Sequence, residues 1–366
     1  MMRRQLRQVL VNTLGRSLQW VSNRVVRVAA LNGTFASLYY LLVSRSFRRE
    51  QQATLAGKVA YHRSRGRLGA SSTVLRRNIH RLEKGLIMRP RRIPFALDYI
   101  GETVDHFITA CQEGAINAQE LDWADHVLTE YFACTGHEPA VIRWRRLYYS
   151  VKREKKVDLE GRISTRLIPY SQGTLPQCPV PYEDFLTLLR KRRSVRWFEP
   201  RAVPHDLVEK AVQAASLAPS ACNRQPFWFE LFSVPHEAQH VAQLAMGTQG
   251  FSQNIPCLLV MVGDLQAFPH ERDRHLIYVD ASLAAMSFML AIETLGLSSC
   301  PINWPDIPSR ESTMQKALGL KVHQRPIMLI ALGYADPDGG IPYSQKKPLE
   351  LLLRDGSLNL DAAGQR

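Results

Sequence analysis

The chain predicts an α+β fold for its second half, a sandwich of helices and a mainly antiparallel sheet, preceded by an α-helical N-terminal region. Three observations lead there. Beyond residue 180 helix and strand patterns alternate, without the regular strand–helix–strand order that builds a parallel barrel. Basic residues are concentrated before residue 100, where twenty Lys and Arg face three acids (Glu50, Glu83, Asp98), whereas 27 basic and 30 acidic residues follow. A polar, proline-punctuated stretch from Ser171 to Pro181 lies between the two regimes. A length of 366 residues exceeds what one core usually holds, so more than one is expected. The expected division is a basic amphipathic arm over 1–70, a helical region over 71–170, a linker over 171–181, a mixed domain over 182–355 and a tail over 356–366.

In the arm, Leu6, Leu10, Leu14, Leu18, Val21 and Val25 recur every three or four residues with Arg3, Arg4, Arg7, Arg16, Arg24 and Arg27 between them. That spacing is one face of an amphipathic helix, weakened at Gly15. Val28 to Val43 is apolar but broken by Asn32-Gly33-Thr34, and is short of the ~20 residues that span a bilayer. With no acid before Glu50, residues 1–50 suit an anionic membrane surface; a mitochondrial transit peptide and an arm packed on its own protein are the competing readings. In Leu75 to Leu86, His80, Glu83 and Lys84 share a helix face, read as a salt-bridged surface rather than a ligand set, and Gly85 is expected to end the helix. Two further helices follow, with stripes Leu97, Ile100, Val104, Phe107, Ile108, Cys111 and Leu121, Ala124, Val127, Leu128, Tyr131, separated by Gly114 and Asn117. A charged helix is expected over Val141–Lys156.

The second half reads as helix Tyr182–Arg192, helix His205–Leu217, strand Trp228–Val234, strand Cys257–Gly263, helix Leu276–Leu295, a strand near Ser298–Ile302, helix Arg310–Leu318 and strand Pro326–Tyr334. No Gly-x-Gly-x-x-Gly follows a strand, so a Rossmann nucleotide site has no support. Paired carboxylates, a Ser-His-Asp order and metal-spaced histidines do not appear in this half, which assigns the chemistry to a cofactor. The six cysteines are far apart and form no Cys-x-x-Cys pair, which speaks against zinc and a disulfide framework and for a reducing, cytoplasmic setting, with peripheral membrane attachment as an addition. Cys222 is read as a small residue in a tight turn. Sparse aromatic residues in 1–100 and the lack of a reader motif weigh against nucleic acid as the anionic partner.

Arg192-Arg193-Ser194-Val195-Arg196 places three guanidiniums and a hydroxyl within five residues, a donor set that matches phosphate oxygens. After one helix comes Ala218-Pro219-Ser220-Ala221-Cys222-Asn223-Arg224-Gln225-Pro226. These segments resemble the opening motifs of the FMN-dependent nitroreductase family, Arg-Arg-Ser-hydrophobic-Arg and then Ala-Pro-Ser-x-x-Asn-x-Gln-Pro. The likeness continues through Gly250–Asp264, Tyr278–Leu297, Cys300-Pro301-Ile302-Asn303 and Ala331-Leu332-Gly333-Tyr334 to Lys346-Lys347-Pro348-Leu349, so it covers residues 180–355 and implies a nitroreductase-like sandwich.

The resemblance implies bound FMN, NADH or NADPH as donor, and a homodimer. It implies that Arg192 and Ser194 hold the phosphate and ribityl tail, that Arg196 lies near N1 and O2 of the ring, that Arg193 reaches either, and that Lys346 or Lys347 gives a second phosphate contact. Pro219, Ser220 and Asn223 would approach the flavin from the partner subunit. Ile302 and Asn303 would pass the N5 edge. No side chain is implied as catalytic, because the chemistry sits at flavin N5. Trp304 departs from the family pattern, which often has Gly there, and is expected to narrow the pocket or stack on substrate. Asp280 is expected to contact a helix start and Ser282 to be a packing position. The implied activity is reduction of an electron-poor small molecule, such as a quinone, nitro compound or biosynthetic intermediate, in a ping-pong cycle. The branch of the fold that fragments its own flavin lacks its Gly-containing, acidic motif variants here. The alternative to an enzyme is a flavin-holding or vestigial domain that carries the basic N-terminal part as a membrane- or nucleic-acid-associating module.

Overall fold

The computed structural model describes residues 25–135, 138–154 and 166–356. The amphipathic run from Leu6 to Val21 and the tail beyond 356 lie outside them. Residues 25–29 are helical and are followed by α1 (Gly33–Leu42), α2 (Arg48–Ser64), a two-stranded hairpin of β1 (Arg67–Leu68) with β2 (Ser71–Ser72), and α3 (Thr73–Leu86). Then come α4 (Ile100–Glu113), α5 (Ala118–Thr135) and α6 (Pro139–Glu154). The second half holds α7 (Tyr182–Lys191), α8 (His205–Ala215), β3 (Phe227–Phe232), α9 (Pro235–Leu244), β4 (Cys257–Asp264), α10 (Leu276–Thr294), β5 (Ser298–Asn303), α11 (Pro308–Leu318) and β6 (Gln324–Gly333).

One antiparallel sheet of order β3-β4-β6-β5 centres the second half. Every residue of β4 is buried, because both faces of the strand are covered. Its alternation divides the core: Cys257, Leu259 and Met261 pack with α8 and α10, while Leu258, Val260 and Val262 pack with α9 and α11. Helix α10 is apolar along its length, and Ile277, Ala281, Ala284, Phe288 and Ile292 are fully buried against the first face. The sequence reading places these elements to within a few residues. It misses α9, whose start is set by Pro235 at its first turn.

A separate core unites α3 to α6 through Leu75, Ile79, Leu82, Val104, Leu128 and Tyr131. Glycine114 caps α4 in the left-handed conformation (φ 62°), as the predicted turn requires. Two expectations are corrected here. Gly85 does not end α3, which runs to Leu86; it sits inside the helix because the ring of Phe95 packs where a side chain would be. Leu97 precedes α4 and is half exposed, since the helix starts only at Ile100. His80 Nδ1 lies 3.3 Å from Glu83 Oε2, and Glu83 also accepts from Trp123 Nε1 at 2.8 Å, which links α3 to α5.

Helix α2 was not foreseen. It packs on the sheet half through Ala53, fully buried with the α8–α10 core, and Gly57, at which a Cβ would stand 2.7 Å from Leu265 Cβ and 2.8 Å from Leu265 backbone carbon. Gly57→Ala should therefore lower stability by about 1–3 kcal/mol, because the obstacle is backbone and the gain in helix propensity is only about 1 kcal/mol. Thermal unfolding checks this; a higher midpoint in the variant would show that α2 is not seated as described.

Candidate functional site

Helix α7 ends at Arg192, whose N–H is the last to donate to the helix, at 3.0 Å to the Leu188 carbonyl. The chain then runs extended beside β5: Ser194 bridges Ser299 in parallel, Val195 N–H donates to the Ser299 carbonyl at 3.1 Å, and Phe198 bridges Ala335. Val195 and Phe198 are buried, which fixes the run and leaves Arg192, Arg193, Ser194 and Arg196 half exposed. Burial pushes the Cys300 thiol of β5 up, and the positive charges of Arg196 and Arg192 oppose that shift. Arg192 also opposes the upward shift that burial imposes on Glu293, near the end of α10. Arg196 lies 5.9 Å from the Phe251 ring and donates to the Ser194 carbonyl at 3.3 Å. The result is a fixed, cationic, partly dry patch at the start of β5.

The loop after α8 is built differently. Cys222, Asn223 and Gln225 all have positive φ (52°, 53° and 49°), a conformation that costs a non-glycine residue of order 1–3 kcal/mol and persists where surroundings enforce it. Four contacts enforce it here. Gln225 N–H donates to Ser220 Oγ at 3.2 Å, Gln225 Nε2 to Asn223 Oδ1 at 3.1 Å, Ala221 N–H to Asp280 Oδ2 at 3.0 Å, and Arg76 Nε to the Asn223 carbonyl at 2.7 Å. Asp280 is thus a clamp on the loop rather than a helix-start contact, and burial raises its carboxyl against the pull of the Ala221 N–H and Arg224. Ser282, expected to be packed, is exposed. Arg76 is itself held by Glu120 at 3.1 Å, and a cavity of about 920 Å³, lined by Arg76, Trp123, Asn223, Gln225, Trp228 and Asp264, opens between the helical region and this loop. The sequence reading has no role for Arg76 or Glu120 and a different one for Asp280, because each acts across elements far apart in the chain.

The remaining predicted residues are placed as follows. Ile302 is buried and Asn303 exposed at the far end of β5, about 13 Å along the strand from Ser299 at ~3.3 Å per residue. Lys346 and Lys347 are exposed on irregular chain after β6. Pro219 is exposed, Ser220 and Asn223 half exposed. Within one chain the arginine run and the Ser220–Asn223 loop are tied to different ends of α10: Ser194 bridges Ser299, just past its C-terminal end, whereas Ala221 N–H donates to Asp280 near its N-terminal end. The expectation for Trp304 is corrected. Its ring is buried, and Nε1 donates to Glu311 Oε1 at 2.7 Å, so it neither narrows a pocket nor offers a stacking face.

The model of the nitroreductase family matches residues 189–248 and 228–334. The chain is 29% identical to an NADH dehydrogenase of Thermus thermophilus, over 48% of this chain and 98% of that one. It is 22% identical to iodotyrosine deiodinase 1 of Mus musculus, over 53% and 78% of the two chains. A solved nitroreductase family protein from Streptococcus pneumoniae aligns with 24% identity over 47% of this chain and all of that one, with a TM-score of 0.41. The C-terminal half of this chain, residues 189–334, is a nitroreductase-family domain.

Proposed function

We propose that the chain is an FMN-dependent oxidoreductase that takes electrons from NADH or NADPH in a ping-pong cycle and passes them to an electron-poor small molecule, such as a quinone, nitro compound or biosynthetic intermediate. The observation that supports this most is the Arg192–Arg196 run pinned along β5 by the Ser194–Ser299 bridge and the bond from Val195 N–H to the Ser299 carbonyl. Such preorganised cations suit a phosphate dianion and the negative charge that a reduced flavin ring gathers, without reorganisation at the moment of reaction. Bound FMN would supply the two-electron transfer itself. Arg192, Arg193 and Ser194 would bind the phosphate and ribityl chain, Arg196 the N1–O2 edge, Asn303 N–H the N5 edge, and Lys346 or Lys347 the phosphate.

A homodimer is part of the proposal. The two sets of predicted flavin contacts sit at different ends of α10, so one chain alone does not gather them, and Val279, Leu283 and Met286 form an exposed apolar stripe on that largely buried helix. A second copy seated on the stripe would bring its Pro219, Ser220 and Asn223 toward the first copy's arginines. The clamped left-handed loop holds Ser220 and Asn223 in place at no further ordering cost. Reductive dehalogenation is a second reading, favoured by the deiodinase among the relatives.

The expected result is a flavin absorbance band in the purified full chain that bleaches on anaerobic titration with NADH or NADPH. Return of the band with a quinone or nitroaromatic supports the first reading, and return with iodotyrosine plus release of iodide supports the second. A band that neither nucleotide bleaches would leave a flavin-holding domain, and no band at all would remove the cofactor assignment.

A further inference from the structure

Residues 25–47 expose most of their large apolar side chains. Leu31 and Leu42 are 73% and 76% exposed, Val28, Phe35, Leu38 and Leu41 between 44% and 63%, and α1 buries no residue at all. Single exposed leucines are ordinary, but a contiguous apolar segment of this kind marks an interaction surface. Two polar groups within it are satisfied locally, which lowers the cost of their leaving water: Asn32 caps α1 by accepting from Phe35 N–H at 3.0 Å, and Ser37 Oγ donates to the Gly33 carbonyl at 2.9 Å.

Charge identifies the occupant. No charged residue falls between Arg27 and Arg45, and Arg27, Arg45 and Arg48 are exposed at the two ends of the apolar stretch. Glu50, the first acid in the sequence, is turned toward Arg274 at 3.4 Å, so it does not offset them. Tyr39, Tyr40 and Phe47 cluster edge to face at the C-terminal end of the segment, with centroids 5.2 and 4.4 Å apart. An apolar segment bounded by cations and aromatic rings matches the layering of a bilayer surface, with hydrocarbon inside, rings at the headgroup level and cations at lipid phosphates. At ~1.5 Å per residue α1 is about 15 Å long, half the ~30 Å hydrocarbon core.

We infer that residues 25–47 are a monotopic anchor that inserts into one leaflet of an anionic phospholipid membrane and tethers the nitroreductase-family domain to it. Flotation of the full chain tests this, with vesicles of phosphatidylcholine alone and with vesicles in which a third of the lipid is phosphatidylglycerol, at low and at raised salt. The full chain is expected to float with the anionic vesicles and to weaken, but not detach, as salt screens the arginines. Arg27→Gln with Arg45→Gln should lower the partition coefficient on anionic vesicles about 25-fold, at about five-fold per arginine, and leave neutral vesicles unaffected. Leu38→Asp with Leu42→Asp changes two largely exposed side chains and should abolish flotation while leaving the thermal unfolding midpoint in place. Flotation of the aspartate variant like the parent chain, or equal flotation with both kinds of vesicle, would overturn the proposal. So would a chain that never floats but sediments as an oligomer that the aspartate variant dissolves, since the face would then join two copies.

Discussion

Arg192→Ala with Arg196→Ala is expected to give folded, colourless protein. Each charge-assisted bond from a guanidinium to phosphate or to a charged ring edge contributes about 1.5–3 kcal/mol, so losing two weakens FMN binding by about 3–6 kcal/mol, roughly a hundredfold to ten-thousandfold. The fold should tolerate the change. Arg192 is tied to α7 by its backbone N–H, and the Arg196 guanidinium donates within its own run, to the Ser194 carbonyl. Val195 and Phe198, which seat the segment, remain. Lysine at both positions keeps the charge but loses the planar fork, and should retain FMN at intermediate affinity. Flavin absorbance per chain after gel filtration, with near-ultraviolet circular dichroism as the fold control, reads the outcome. Stoichiometric FMN in the folded double variant would sink the assignment of these arginines.

How far the fold was legible depends on what each element buries. Strand β4 is an unbroken apolar run from Cys257 to Val262 and helix α10 buries Ile277, Phe288, Met289 and Ile292 among small residues, so both stand out in the sequence. Helix α2 buries Ala53, Gly57 and Tyr61, four residues apart, and two of these have almost no hydrophobic signal. Its seat depends on close backbone approach, which only the three-dimensional arrangement reveals. Gly85 misled for a related reason: a glycine near a helix end usually marks the stop, and here it makes room for Phe95.

In the site, the motif residues were legible because their chemistry is concentrated in two short runs. What holds those runs was not. Asp280 reaches Ala221 across 59 residues and Arg76 reaches Asn223 across 147, and nothing in local spacing announces such pairs. Trp304 shows the opposite failure. Its position in the motif suggested a role toward substrate, but an indole N–H needs a partner when buried, and Glu311 supplies one inside the core.

That partnership leads to the second large effect. Glu311 and Arg325 are each about 1% exposed; Arg325 Nε lies 3.4 Å from Glu311 Oε2, Arg325 Nη2 donates to Asp306 at 2.7 Å, and Arg49 of α2 stands 3.7 Å from the same Glu311 oxygen. Glu311 thus balances two buried guanidiniums and accepts from Trp304. Arg49 Nη2 and Arg325 Nη1 already lack partners among the described residues, and the Asp306 carboxylate that stays on Arg325 is 43% exposed, so it compensates buried charge less than Glu311 does. Glu311→Ala should therefore cost about 3–5 kcal/mol, the penalty of leaving buried charge uncompensated, and lower the unfolding midpoint by roughly 6–20 °C. Glu311→Gln keeps an acceptor for Trp304 but not the charge, and should lose somewhat less. Replacing the buried charges together, Arg49→Met, Glu311→Leu and Arg325→Met, should cost less than Glu311→Ala alone, because no lone ion then remains inside. If the triple variant is instead the least stable, or if Glu311→Ala costs under about 1 kcal/mol, the cluster does not compensate charge, and α2 is held to the sheet half by its small-residue packing alone.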